Sequence, residues 1–196
     1  MIDRKPWSAP LSSRAFLFAR NFFKHPAMLG SLVPSSQYLV NDVLSRVDWQ
    51  RARVLVEYGP GVGTITQEIL RRMSPNAVLV AIELNPDFVQ YLGQQVKDPR
   101  FHVVQGSASD VRTILGKLNL GQADYIISGI PYTNIPEPAR RQILEESRQA
   151  LHSDGALLVY QFTRTVLPYL NSCFRSVEQS SQLRNILPAR IFHCTP

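Results

Sequence analysis

The chain is poor in the residues that carry metal and redox chemistry. Its 196 residues include two cysteines, Cys173 and Cys194, and four histidines, His25, His102, His152 and His193. Two cysteines so placed make neither a disulfide framework nor a CxxC pair, and they read as reduced thiols of a cytosolic protein. The histidines lack metal-ligand spacing, so no metal site is expected. No apolar run approaches the ~18 residues that a membrane-spanning helix needs. The opening MIDRKPWSAP lacks the apolar stretch of a secretory signal. Charged residues are only 18% of the chain against 44% hydrophobic ones. That balance excludes a solvated, disordered chain and fits one globular domain with a full core.

Acidic charge is scarce at both ends. Residues 1–24 carry Arg4, Lys5, Arg14, Arg20 and Lys24 against Asp3, and residues 163–196 carry Arg164, Arg175, Arg184 and Arg190 against Glu178. Of the net +6, the two flanks therefore supply more than the whole, and the middle is slightly acidic. Basic flanks around a near-neutral centre point to a phosphate-rich partner, either an anionic membrane surface or nucleic acid.

Two segments precede the main pattern. Between Leu11 and Lys24, residues such as Phe16, Phe18, Phe22 and Phe23 share one face of a helical wheel, with Arg14, Arg20 and Lys24 on the other. His25-Pro26 closes that helix. A second helix is expected after Ser35-Ser36, carrying Tyr38, Leu39, Val43, Leu44 and Val47. These segments form a helical extension over 1–48, ahead of a core over 49–196.

From Arg53 onward, short apolar runs alternate with helical patterns. VLVEY (54–58), VLVAIEL (78–84), FHVVQG (101–106), DYIISGI (124–130) and ALLVYQF (156–162) read as strands. Helices are expected over 64–73, from Asn85-Pro86, around 111–118 and over 137–151, the last closed near Gly155. FRSVEQ and SQLRNIL read as the two strands of a terminal hairpin. Such βα alternation implies a parallel sheet covered on both faces.

Chemistry concentrates after the first strand. Glu57-Tyr-Gly59-Pro-Gly61-Val-Gly63 follows a strand and opens a helix, where glycines let backbone amides approach a ligand at the carboxyl edge of a sheet. A dinucleotide fingerprint requires glycine at position 64, which is Thr64. Glu83 closes the next strand, where an acid can accept both ribose hydroxyls of an adenosine.

This arrangement, with Gly106-Ser-Ala-Ser-Asp110 after the third strand, resembles the class I S-adenosylmethionine-dependent methyltransferase core. The resemblance implies a Rossmann-like seven-stranded sheet, mostly parallel, with an antiparallel last strand. It also implies S-adenosylmethionine as cofactor, held by Glu57, Gly59, Gly61, Gly63, Glu83, Leu84, Ser107, Ala108 and Ser128. Many members carry an acid where this chain has Ser107, so backbone or Asp110 is left to meet the adenine. Strand four ends in Ser128-Gly129-Ile130-Pro131-Tyr132. In ribosomal RNA adenine dimethylases the motif is N-[LI]-P-[YF], whose asparagine accepts the target amino group. Gly129 has no side chain for that task.

The ordered set of an aromatic and basic first helix, Pro34-Ser35-Ser36, E-x-G-P-G-x-G and Gly129-Ile130-Pro131 is most similar to the bacterial phospholipid N-methyltransferases. That likeness implies stepwise methylation of phosphatidylethanolamine by a cytoplasmic protein bound peripherally to the inner face of the membrane. It makes Tyr132, Tyr38 and Pro131 the candidate catalytic residues, the two rings holding a methylammonium by cation–π attraction. Arg164 and Arg190 become candidates for the lipid phosphate, and Ile130 for the substrate wall. Two other readings stay open: a nucleic-acid methyltransferase, and a cofactor-binding protein without catalysis.

Overall fold

The computed structural model describes residues 36–182 and 188–196. The aromatic and basic segment 11–24 and the Pro34-Ser35 pair lie outside them. Helix α1 (Gln37–Leu44) begins where Ser36 accepts a hydrogen bond from the Leu39 amide at 3.2 Å. Its Leu39, Val40, Val43 and Leu44 are all buried. The rest alternates as expected from the apolar runs: β1 (Val54–Tyr58), α2 (Thr64–Arg72), β2 (Val78–Glu83), α3 (Pro86–Gln95), β3 (Phe101–Gln105), α4 (Val111–Lys117), β4 (Ala123–Ser128) and α5 (Glu137–Ala150). Then follow β5 (Leu151–Gln161), α6 (Leu167–Cys173), β6 (Ser176–Gln182) and β7 (Ala189–Thr195).

The seven strands form one sheet in the order β3-β2-β1-β4-β5-β7-β6. β1 to β5 are parallel, and β7 runs antiparallel to both β5 and β6. Because the central strands are covered on both faces, their alternate residues enter two separate cores. Leu55, Leu79, Ile127, Leu158 and Ile191 pack under α1 and α2. Val56, Val80, Ile126, Val159 and Phe192 pack under α4, α5 and α6. The strand order reverses between β1 and β4, so their carboxyl ends diverge and open a crevice.

Two expectations are corrected. The terminal hairpin pairs β6 with Ala189–Thr195, and not with SQLRNIL, whose first two residues belong to β6. The order of polar and apolar residues in ARIFHCT is that of a strand between two neighbours, buried at Ala189, Ile191, Phe192 and Cys194. The fifth strand also begins earlier than Ala156, at Leu151, directly after α5. Gly155 therefore does not close a helix but lies within β5, beside a register shift between Ala123 and Tyr125. A Cβ there would lie 2.7 Å from the Asp124 carbonyl oxygen and 3.1 Å from those of Ala123 and His152. Gly155→Ala is expected to cost about 1–3 kcal/mol by overpacking, seen in urea unfolding as a lower midpoint with an unchanged slope.

Candidate functional site

At the crevice, the glycine turn is built by conformations that side chains disfavour. Gly59, Gly61 and Gly63 have φ of +66°, +55° and +78°. The Gly59 amide donates to the Ile82 carbonyl at 3.0 Å, which ties the turn to β2. A Cβ on Gly59 would stand 2.9 Å from Ile130 Cγ2, so the first glycine is also required by the β4 loop. Gly63 is the residue before α2 and stands away from the cavity.

Two glutamates brace this turn in different ways. Glu57 points below it, almost fully buried, and accepts a hydrogen bond from Thr66 Oγ1 at 2.6 Å. Burial pushes its carboxyl up to about 7; the Thr66 hydroxyl opposes the shift and the Glu83 charge adds to it. Glu83 reaches across from the tip of β2. Its Oε2 accepts from the Gly61 amide at 3.2 Å and its Oε1 from the Asn85 amide at 3.0 Å. Burial raises its pKa as well, but these backbone donors work against the rise. Asn85 in turn caps α3 by accepting from the Asp87 amide at 3.0 Å.

The cavity over these residues holds about 380 Å³, within the range of small-molecule sites. Glu83, Leu84 and Phe88 form one wall, and Gly106, Ser107 and Ala108 another. Leu84 is 57% exposed and faces the cavity. The third wall is the loop after β4, with Gly129, Ile130, Pro131, Asn134, Ile135 and Pro136. This loop is held from below. The Ile130 carbonyl accepts from Gln161 Nε2 at 2.8 Å, and the Ile135 carbonyl from Arg140 Nη2 at 2.8 Å. Arg140 is itself buried, with its guanidinium 4.6 Å from the centre of the Tyr169 ring.

The structure thus gathers Gly59, Gly61, Glu83, Leu84, Ser107, Ala108, Ile130 and Pro131 on one cavity. Other expected site residues lie elsewhere. Tyr132 does not present its ring to the cavity: it is fully buried, and its hydroxyl accepts a hydrogen bond from Ser128 Oγ at 3.1 Å. The short turn Tyr132–Asn134 rotates it into the core, where burial drives its pKa up. Ser128 goes with it, buried and off the cavity wall. Tyr38 is 55% exposed on α1, outside the cavity. Arg164 is exposed after β5, and Arg190 is partly buried on β7 opposite Gln161. Asp110 is exposed and does not line the cavity. Sequence reasoning missed Phe88, Asn134, Ile135 and Pro136. Pro136, five residues after Pro131 of the G-I-P motif, was the available signal for the last three.

A family model described as ribosomal RNA adenine dimethylase matches residues 27–192. The chain belongs to the ribosomal RNA adenine dimethylase family. It is therefore an S-adenosylmethionine-dependent methyltransferase, with S-adenosylmethionine as its cofactor. An ornithine lipid N-methyltransferase of Singulisphaera acidiphila is 32% identical over 181 residues, covering 91% of this chain and 94% of that protein. Ribosomal RNA small subunit methyltransferase A of Mycoplasma capricolum is 30% identical over 98 residues, which are 48% of this chain and 35% of that protein. The chain therefore matches only about a third of that relative's length. Precorrin-6y C5,15-methyltransferase from Geobacter metallireducens has the same fold, with a TM-score of 0.66 at 17% identity over 88% of this chain and 95% of that one.

The cavity of this methyltransferase fits such a nucleoside cofactor. A buried carboxylate with acceptor capacity for hydroxyl donors stands between apolar walls, and the glycine turn leaves open space at Gly61. Among the described residues no cluster of metal-ligating side chains occurs. Glu83→Gln places an amide where two backbone amides donate, and it removes a charged acceptor. Affinity for S-adenosylmethionine is expected to fall about 10–100-fold, measured by calorimetry.

Glu57 gives a pH signature in the cofactor-free protein. Its folded pKa of about 7 lies above the ordinary 4.5, so the unfolded chain loses this proton first as pH rises. Between those values stability falls, by up to about 3 kcal/mol from this group. Glu57→Gln keeps an acceptor for Thr66 and removes that slope. In urea unfolding, the variant's advantage is expected to grow from pH 4.5 and level off above 7.

Proposed function

We propose that this methyltransferase acts on the headgroup amine of membrane lipids, phosphatidylethanolamine and its partly methylated forms foremost. The observation that carries the reading is the match over nearly the full length of both chains with an N-methyltransferase of ornithine lipid. Phosphatidylethanolamine and that lipid share a primary amine in an anionic or zwitterionic headgroup, so one chemistry serves both. Gly129 supports the same choice, since it offers no side chain amide to a nucleobase at the cavity wall.

In this reading Glu83 takes the ribose hydroxyls, the Gly59–Gly63 turn lies along the methionyl part, and Leu84 and Ala108 flank the adenine. The bound cofactor supplies an activated methyl group. The protein then has to bring a neutral amine into line with it and keep water out. A free alkylamine has a pKa of ~10, and the apolar wall of Ile130, Pro131 and Ile135 disfavours its charged form. Pro131 stiffens this wall. Exposed Arg164 and the partly buried Arg190 are offered for the lipid phosphate, and exposed Tyr38 for the interface.

Among the described residues no helix is long and apolar enough to cross a membrane. Peripheral docking at the inner face of the membrane by the residue 1–48 extension, through residues 11–24, is therefore part of the proposal, by burial of the phenylalanines and attraction of Arg14, Arg20 and Lys24 to anionic lipid.

The test uses the full chain with methyl-labelled cofactor, phosphatidylethanolamine–phosphatidylglycerol vesicles, ornithine-lipid vesicles and ribosomal RNA. Label is expected in the lipid amine and is expected to disappear when the amine is acetylated. Label in RNA alone would assign the protein to the nucleic-acid branch. Cofactor binding with no labelled product would assign it to binding without catalysis. Replacing Arg14, Arg20 and Lys24 together by glutamate is expected to abolish sedimentation with anionic vesicles while cofactor affinity stays unchanged.

A further inference from the structure

The cavity wall formed by Gly106, Ser107 and Ala108 carries one side-chain hydroxyl, that of Ser107. Its Oγ accepts two hydrogen bonds from one neighbour. The Ser109 amide donates at 3.2 Å and the Ser109 hydroxyl at 2.7 Å. A serine oxygen has two lone pairs and one proton. Both lone pairs are therefore occupied, and the side chain keeps only its O–H to offer. The Ser107 carbonyl is occupied as well, by the Asp110 amide at 3.0 Å. At this wall Ser107 is a donor and nothing else.

The acceptors of the cavity are engaged or lie on its other walls. The Glu83 carboxylate holds the Gly61 and Asn85 amides at the tip of β2, and among the described residues it is the only carboxylate on the cavity wall. The Glu83 carbonyl accepts from the Gly106 amide at 3.0 Å. Asn85 uses its carboxamide oxygen to cap α3 through the Asp87 amide. Asn134 stands in the loop after β4, on the wall of Ile130 and Pro131. Asp110 is exposed and off the cavity. The side that the reading above gives to the adenine, between Leu84 and Ala108, thus offers apolar surface and one hydroxyl proton.

We infer that Ser107 reads the cofactor's base by donating to a ring nitrogen, and that this wall leaves the exocyclic amine unread. The inference rests on the cofactor placement proposed above, and not on the identity of the methyl acceptor. Adenine presents lone pairs at its ring nitrogens and protons at its amine. A group that can only donate pairs with the first kind. Ser109 is then the residue that sets the polarity of the contact, since its two donors hold the Ser107 hydroxyl as a donor. Without the Ser109 hydroxyl, one lone pair on Ser107 returns and the amine gains an acceptor.

Calorimetry on the full chain compares S-adenosylhomocysteine, the demethylated cofactor, with its analogue whose purine lacks the 6-amino group. The two are expected to bind within about threefold of each other. Ser107→Ala is expected to weaken both by about 3–10-fold, the worth of one hydrogen bond. Ser109→Ala is expected to favour the amine-bearing ligand by a similar factor, and Ser107→Asp, which puts an acceptor at this wall, to favour it more. Equal weakening of both ligands in all three variants marks a structural role alone and overturns the inference. A preference of about tenfold or more for the amine-bearing ligand in the unaltered protein also overturns it, since that preference requires an acceptor here. So does unchanged affinity for both ligands in Ser107→Ala. In each of these cases labelling of lipid still tests the aminolipid function, and Glu83→Gln still tests the ribose placement, on their own. Failure of the unaltered protein to bind either ligand overturns the cofactor placement and the inference together.

Discussion

The Glu83 carboxylate is the joint on which the site depends. It is anchored at the end of β2, yet one of its oxygens holds an amide of the glycine turn that follows β1. Three positive-φ glycines in five residues would otherwise give a segment with many alternatives. Bonding that turn to the neighbouring strand at Gly61 N, and again through the Gly59 amide to the Ile82 carbonyl, leaves one arrangement. The crevice between β1 and β4 is a product of topology, but its floor has a defined shape because of this bridge.

The two glutamates divide their labour by environment. Glu57 is shielded from the cavity and shares its charge with the hydroxyl and backbone amide of Thr66, so its ionisation is expensive near neutral pH. Glu83 sits at the cavity wall among backbone donors, which offset its desolvation. A charged acceptor is thereby kept where a ligand arrives, and the second acid, one strand away, works as a brace within the fold.

Much of the fold was legible from residues 53–162. Strands buried on both faces must be apolar throughout, and VLVEY and VLVAIE show this directly. Asn85-Pro86 announced α3 because a cap and a proline at the first helical position act locally. Reading failed where the deciding partner is distant in sequence. The polar stretch His152-Ser153-Asp154 hid the start of β5, which is defined by pairing of Leu151 with Ala123. Tyr132 looked like a site residue by its motif, but a three-residue turn rotates its ring inward. Gly129 was noticed as a missing side chain; only the strand register shows that Tyr160 stands in its place.

The insertion of β7 between β5 and β6 has a consequence for how the sheet opens. The β6–β7 pair joins the remaining strands solely through the β5–β7 ladder among the described residues. Partial unfolding that parts this one ladder frees two strands together, as a cooperative unit whose amides should share one exchange rate. Tyr160 and Gln161 sit on that ladder opposite Ile191 and Arg190. Gln161 also holds the Ile130 carbonyl at the cavity wall, so motion of an outlying hairpin is in this way coupled to the loop after β4.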